Sequence, residues 1–150
     1  MKKVLSVLFI LPFLLGCNKK ETNTYKFTLE SDESGELTLS DPSEMYQKAK
    51  TDKIDCVFYI GDDSCSACQK LKPQLTDFVK AYKLKIYYIP LTSIAEENVS
   101  YLYDATMGPY QWAENSSVPA TYFFAYGDVI FRTGYDNTVK YLLKNVNLGE

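Results

Sequence analysis

Two cysteines stand three residues apart where an apolar segment meets an amphipathic one, and this junction constrains the fold more than any other feature. Residues 54–60 are an almost unbroken run of β-forming side chains, which predicts a strand covered on both faces. The polar segment 61–64 interrupts that run. Apolar residues then recur at helical spacing over 71–82. The junction therefore predicts a strand followed by a long helix, with Cys65 and Cys68 in its first turn.

The remaining segments alternate between strand and helix patterns. Further strands are expected at 25–30, 37–39, 85–91, 121–126 and 129–133, the last two forming a hairpin around Gly127-Asp128. Further helices are expected from Asp41 to about Lys50, from about Ile94 to Ala105, and from a cap at Asn137 or Thr138 onward. Two strand-helix-strand crossovers before a terminal hairpin predict one α/β domain, with a mixed central sheet flanked by helices.

The absence of histidine narrows the chemistry. None of the 150 residues is His, which excludes Ser-His and Cys-His nucleophile pairs and any His metal ligand. A zinc site would also lack ligands, because with no His and with Cys17 acylated, as argued below, only Cys56 could join the cysteine pair. The sequence implies neither a metal nor an organic cofactor. A net charge of −3, without a basic run in the folded part, argues against a nucleic-acid partner.

The cysteine pair has the features of a redox centre. Cys65 would face the unpaired N–H groups and the positive end of a helix, which lower the pKa of a thiol and favour its thiolate. We predict that Cys65 is the attacking sulfur and that the more buried Cys68 resolves the mixed disulfide. Ser64 is the predicted helix cap. A purely structural disulfide and a pair of unpaired buried thiols are the alternatives, although a bridge across so short a loop constrains the unfolded chain little.

The segment resembles the thioredoxin-like thiol–disulfide oxidoreductases, and the resemblance follows the element order from Tyr25 to the C-terminus. Pro73 falls where that family has the proline that kinks its active-site helix. The segment Val118-Pro119-Ala120-Thr121 looks like the family's cis-proline loop, and Gly134 fits before the last helix. The resemblance implies a thioredoxin fold. It also implies that Val118 and Pro119 shape a surface beside the disulfide, where an extended substrate pairs as an added strand.

The chain departs from the family pattern around the cysteines. Asp62, Asp63 and Ser64 stand where the family has a Trp before its first cysteine. Two carboxylates there should raise the pKa of a neighbouring thiol and oppose the helix dipole. The family's buried acid would fall at Tyr59, so that helper in proton transfer is absent or replaced. The intervening Ser66-Ala67 contains no His, and this disfavours a very strong oxidant.

The first residues have the pattern of a bacterial targeting segment. Lys2 and Lys3 precede an apolar run over 4–15, which is shorter than the roughly 18 apolar residues that suggest a membrane span. Leu14-Leu15-Gly16-Cys17 resembles the lipobox, which implies that Cys17 is acylated and becomes the first mature residue. An ordinary secretory peptide cut elsewhere is the alternative.

These features predict three regions: a lipoprotein signal peptide over 1–16, a lipidated tether over 17–24, and a thioredoxin-like domain over 25–150. The domain would lie on the extracytoplasmic face of a bacterial membrane, where disulfides persist.

For several other residues the sequence allows two interpretations, one functional and one structural. Cys56 lies in the apolar strand, where an inert buried thiol is expected and a partner in disulfide exchange is the alternative. Tyr110 and Trp112 could form an aromatic rim that holds substrate or could pack onto the domain. The acidic stretch 31–36 is expected to be a solvated turn, because it lacks the ligand spacing of a calcium loop.

Taken together, the sequence predicts a monomeric, membrane-anchored thiol–disulfide oxidoreductase that exchanges disulfides with exported proteins and is recycled by another redox protein. The direction of electron flow stays open. The alternative is a non-catalytic binding or accessory lipoprotein whose cysteine pair is structural. A looser resemblance to bacteriocin-accessory thioredoxin-like proteins, through the Cys-x-x-Cys helix and the Tyr-rich segment 85–90, fits that alternative.

Overall fold

The computed structural model describes residues 25–113 and 116–149. Its strands are β1 (Thr38–Leu39), β2 (Cys56–Gly61), β3 (Tyr87–Pro90), β4 (Ala120–Ala125) and β5 (Asp128–Thr133). Its α-helices are α1 (Pro42–Tyr46), α2 (Ser66–Tyr82), α3 (Val99–Ala105) and α4 (Thr138–Asn145). A π-helical turn, Gln47–Thr51, follows α1, and short 3₁₀ segments lie at Leu91–Ser93, Glu96–Asn98 and Tyr135–Asn137.

The sheet has the strand order β1-β3-β2-β4-β5. Strands β1, β3 and β2 run parallel, whereas β4 is antiparallel to β2 and to β5. This is the predicted mixed sheet with helices on its faces, and the expectation of a single α/β domain is confirmed. Because Ile60 pairs with Ala120, the end of β2 lies beside the start of β4. That register brings the segment before α2 next to the segment before β4.

Two hydrophobic cores lie on opposite faces of the sheet, because side chains alternate along each strand. Along β2, Val57 and Tyr59 pack with α2 and α4, while Phe58 and Ile60 pack with α1 and α3. All six residues of β2 are buried, as expected for a strand covered on both faces. The cysteine helix α2 therefore lies over the face that Tyr59 occupies.

Local signals place the helix ends. Asp41 caps α1 by accepting hydrogen bonds from the backbone N–H groups of Ser43 and Glu44 at 2.7 and 3.0 Å. The helix α2 ends at Lys83, which has a left-handed φ of 53° and donates its N–H to the Val79 carbonyl at 2.8 Å. Pro73 lies inside α2 and its side chain is exposed.

Three predicted elements differ in the structure. The segment 25–30 forms no strand; it makes an isolated bridge from Phe27 to Val146 and, just beyond the segment, one from Ser31 to Leu84. Within the predicted helix 94–105, the structure has a 3₁₀ segment, Glu96–Asn98, followed by α3, which begins only at Val99. The hairpin turns at Tyr126-Gly127 rather than at Gly127-Asp128, with φ values of 57° and 87°. Positive φ at both central residues matches the twist of the flanking strands.

The predicted signal peptide over 1–16, the tether over 17–24 and the acylated Cys17 lie outside the described residues. Within residues 25–113 and 116–149, no helix combines the length and the apolar character needed to cross a membrane.

Candidate active site

Cys65 is itself the cap of the cysteine helix. It has extended backbone angles, φ −82° and ψ 121°, and its sulfur accepts a hydrogen bond from the Cys68 N–H at 3.2 Å. The prediction that Ser64 caps the helix is wrong. Ser64 instead donates both its N–H and its hydroxyl to the Asp62 carboxylate, each at 2.8 Å. Since the first free N–H groups of a helix carry its positive end, the Cys65 sulfur lies at the positive end of α2.

The segment before β4 contacts the same sulfur. The Cys65 thiol donates a weak hydrogen bond to the Val118 carbonyl at 3.6 Å, across a sequence separation of 53 residues. The Val118–Pro119 peptide bond is cis, and Pro119 is buried. The β2–β4 register thus brings together Cys65, Val118 and Pro119, three residues that the resemblance to thioredoxin-like proteins singled out.

The two cysteines differ sharply in exposure. Cys65 is partly exposed, whereas Cys68 is 2% exposed, and both are free thiols in this structure. Burial raises the pKa of the Cys68 thiol, and a hydrogen bond with Cys65 raises it further. The nearby backbone of Asp62 and hydroxyl of Tyr59 act in the opposite direction and lower the pKa. An outside molecule therefore reaches Cys65 first, and Cys68 needs help to ionise.

A buried tyrosine lies beneath Cys68. Tyr59 is 1% exposed and donates its hydroxyl to the Cys68 carbonyl at 3.4 Å. Its ring stacks on Tyr88 with a centroid distance of 5.2 Å and an interplanar angle of 19°. Burial raises the pKa of Tyr59 far above its ordinary range. The sequence identified this position but assigned no role to the phenol, because the contact with Cys68 depends on how α2 lies across the sheet.

The two aspartates before Cys65 have different surroundings. Hydrogen bonds from Ser64 lower the pKa of Asp62, so its carboxylate stays charged. Asp63 is exposed and pairs with Lys72 at 3.3 Å. Lys72 therefore offsets part of the negative charge that Asp63 adds near the cysteine pair. An exposed pair of this kind contributes little to stability.

The other predicted residues of the helix lie where the sequence placed them. Ser66 and Ala67 occupy the first turn of α2, exposed and half-buried respectively, and Pro73 follows two turns later. Cys56 lies at the opposite end of β2 and packs into the core on the α1 face. It is 2% exposed, and burial strongly raises the pKa of its thiol. These observations agree with an inert core thiol that is remote from the cysteine pair.

Trp112 packs onto the domain, which was the second of the two alternatives for this residue. It is 8% exposed, belongs to the core on the α1 face, and donates its backbone N–H to Thr106 Oγ1 at 2.8 Å. Tyr110 is half-buried against the same core. In the acidic stretch 31–36, Asp32 accepts hydrogen bonds from Ser34 and Thr38, as in a solvated turn. Across the part of the chain that the structure describes, no cluster of Cys, Asp and Glu could hold a metal ion.

Comparisons with solved structures place the chain in a known fold. Thioredoxin O1 from Arabidopsis thaliana, in its oxidized state, is 19% identical with a TM-score of 0.52, over 73% of this chain and 93% of that one. Thioredoxin from Aeropyrum pernix is 20% identical with a TM-score of 0.51, over 79% and 94%. The long form of spinach chloroplast thioredoxin F is 16% identical with a TM-score of 0.52, over 75% and 84%.

These similarities show the fold, and the chain has the thioredoxin fold. No protein-family model matches the sequence, and no curated protein matches it.

Proposed function

We propose that this protein is a thiol–disulfide oxidoreductase in which Cys65 is the exchanging sulfur and Cys68 the resolving one. The arrangement of the Cys65 sulfur carries the proposal. That sulfur is accessible, accepts the Cys68 N–H at 3.2 Å, and lies 3.6 Å from the Val118 carbonyl. A sulfur held by a free helical N–H beside an accessible loop suits nucleophilic attack on a disulfide.

The reaction balances as two successive exchanges. Cys65, as the thiolate, attacks one sulfur of a target disulfide, and the other target sulfur leaves as a thiolate and takes up a proton. Cys68 then loses its proton and attacks Cys65, which breaks the mixed disulfide and releases the second target sulfur. The target gains two electrons and the cysteine pair is oxidised. The reverse sequence would install a disulfide in a target dithiol.

The loop at Val118 and Pro119 would form the wall against which the substrate lies. Because Val118 contacts the sulfur through its backbone carbonyl, the loop can align an extended segment without demanding a particular side chain. This supports a protein substrate rather than a small molecule bound in a deep pocket.

We further propose that the domain works on the extracytoplasmic face of a bacterial membrane. The support is the sequence pattern of a signal peptide over 1–16 and a lipobox ending at Cys17, followed by the polar tether 18–24. The substrates would then be exported proteins, and a second redox protein would recycle the pair.

A trapping experiment tests the function. In cells, Cys68→Ser should accumulate mixed disulfides with exported proteins, because the resolving thiol is gone, and these should disappear on reduction. Cys56→Ser is the matched control and should trap nothing, since that thiol is buried elsewhere. Failure of Cys68→Ser to trap any protein would remove the basis of the proposal.

Two measurements address the open alternatives. Equilibration with glutathione buffers separates a reductant from an oxidant, since such pairs span about −270 to −120 mV. Full activity of a variant with both Cys65→Ser and Cys68→Ser would instead favour the non-catalytic binding module.

A further inference from the structure

The resolving cysteine lies against a hydroxyl that the exchange reaction itself does not require. Tyr59 and Cys68 belong to different elements, the centre of β2 and the first turns of α2, and both are almost fully buried. The Tyr59 hydroxyl lies 3.4 Å from the Cys68 carbonyl, at the base of the helix turn that carries the resolving sulfur. A buried phenol needs a hydrogen-bond partner, and here the partner is the backbone carbonyl of Cys68.

Gly61 and Tyr88 hold the phenol in this position. A Cβ atom at Gly61 would lie 2.3 Å from the Tyr59 hydroxyl oxygen, so the absence of a side chain at residue 61 creates the space for the hydroxyl. Tyr88 stacks on the other side of the ring, on the neighbouring strand β3. Because the ring is confined, the hydroxyl stays directed at Cys68 and has no exposed position to which it can turn.

We propose that Tyr59 is the hydrogen-bond donor that stabilises the Cys68 thiolate while it resolves the mixed disulfide. This inference rests on the proposed exchange reaction. When Cys68 ionises, the phenol proton can shift its hydrogen bond from the carbonyl to the sulfur of the same residue. Hydrogen bonds to an ionised group are stronger than those to a neutral one, so the contact favours the thiolate.

Tyr59 does not act as a base in this scheme. Burial raises the pKa of its hydroxyl far above neutrality, so it keeps its proton throughout. The Cys68 proton instead passes to solvent before the attack, and each target sulfur leaves as a thiolate that takes up a solvent proton according to its own pKa. Tyr59 is thus a positioning residue: it changes how readily Cys68 ionises, and no bond to it is made or broken.

Removal of the hydroxyl alone tests the inference. In the full-length reduced protein with ¹³C-labelled cysteine, Tyr59→Phe should raise the pKa of Cys68 by about one unit, because one of its donors is lost. The nearby Asp62 backbone remains and limits the shift. A higher pKa lowers the thiolate fraction about tenfold, and the greater nucleophilicity of the sulfur recovers part of this, so resolution should slow about threefold.

The two chemical steps can be timed separately with an aromatic disulfide probe, 5,5′-dithiobis(2-nitrobenzoate). Attack by Cys65 releases the first coloured thiolate and resolution by Cys68 releases the second. In Tyr59→Phe the first release should be unchanged. The second should be slower and should level off about one pH unit higher, which a merely structural role for Tyr59 would not produce.

Tyr82→Phe is the matched control, since it makes the same chemical change on the same core at the far end of α2. It should change neither the Cys68 pKa nor the second release. An unchanged Cys68 pKa in Tyr59→Phe, or an equal change in Tyr82→Phe, would overturn the inference. If the wild-type protein shows no second release, the proposed function fails instead, while the titration of Cys68 still decides the role of Tyr59.

Discussion

Gly61→Ala should destabilise the protein through a single steric conflict. Gly61 is buried at the end of β2 and its backbone lies outside the left-handed region, so alanine meets no conformational penalty there. Its Cβ would, however, lie 2.3 Å from the Tyr59 hydroxyl oxygen and 2.5 Å from the ring carbon that bears it. Both distances are far inside van der Waals contact, and the stacked ring has little room to withdraw.

The magnitude follows from two contributions. Overpacking of a filled core costs about 1–3 kcal/mol. Displacing the hydroxyl from the Cys68 carbonyl adds about 1 kcal/mol for the lost hydrogen bond. We therefore expect the free energy of unfolding of the reduced protein to fall by about 2–4 kcal/mol.

Urea denaturation of the reduced wild-type and variant proteins measures this loss, provided that the dependence on urea concentration stays the same. A double-mutant cycle with Tyr59→Phe locates its origin, because removal of the oxygen relieves the closest contact and should recover part of the loss. A Gly61→Ala protein within about 0.5 kcal/mol of wild type would refute the reasoning, since it would mean that the Tyr59 ring can move freely. No recovery in the double variant would show that the conflict lies elsewhere.

Three further predictions concern other parts of the chain. Thr121→Val should stabilise the protein by about 1 kcal/mol in urea denaturation, because the Thr121 hydroxyl is buried without a partner among the described residues; destabilisation would contradict this. Hydrogen bonds from Ser43 and Glu44 lower the pKa of Asp41, so its contribution is present above the ordinary carboxyl pKa of 3.8 and lost as the pH falls below it. Asp41→Ala should thus cost about 1 kcal/mol at pH 7 and less at pH 2, and a constant cost would argue against the charged cap. Iodoacetamide should label Cys65 but not Cys56 in the native reduced protein, and mass spectrometry showing labelled Cys56 would contradict its burial.

Local patterns account for most of what could be predicted. Each of these patterns involves residues that are near one another in the sequence. An apolar run predicted β2, helical periodicity predicted the amphipathic face of α2, and a capping motif predicted the Asp41 cap. The prediction that Ser64 caps α2 was wrong because the Asp62 carboxylate binds Ser64, leaving the Cys65 sulfur to accept the helical N–H. Ser is a preferred N-cap residue, so composition favoured Ser64, and the hydrogen bonds that hold Ser64 on Asp62 are not visible in composition.

The predicted strand 25–30 and the predicted position of the hairpin turn were wrong because both depend on pairing between residues distant in the sequence. The segment 25–30 alternates as a strand does, but Phe27 bridges to Val146, just after α4, and no residue of the segment pairs with a strand of the sheet. The hairpin turn moved by one residue because Ala125 pairs with Asp128, and this leaves Tyr126 and Gly127 as the two turn residues. Register of this kind depends on which strands meet, which periodicity does not specify.

The sequence by itself determined that Cys65 and Cys68 begin a helix after a buried strand, since strand pattern, breaker and helix pattern are all local. It could also name Val118, Pro119 and the tyrosine at position 59 through resemblance to a family. Only the tertiary structure placed the Val118 carbonyl 3.6 Å from the Cys65 sulfur and the Tyr59 hydroxyl 3.4 Å from the Cys68 carbonyl. The physical reason is that both contacts join separate elements. Their distances are set by the β2–β4 register and by the packing of α2 on the sheet.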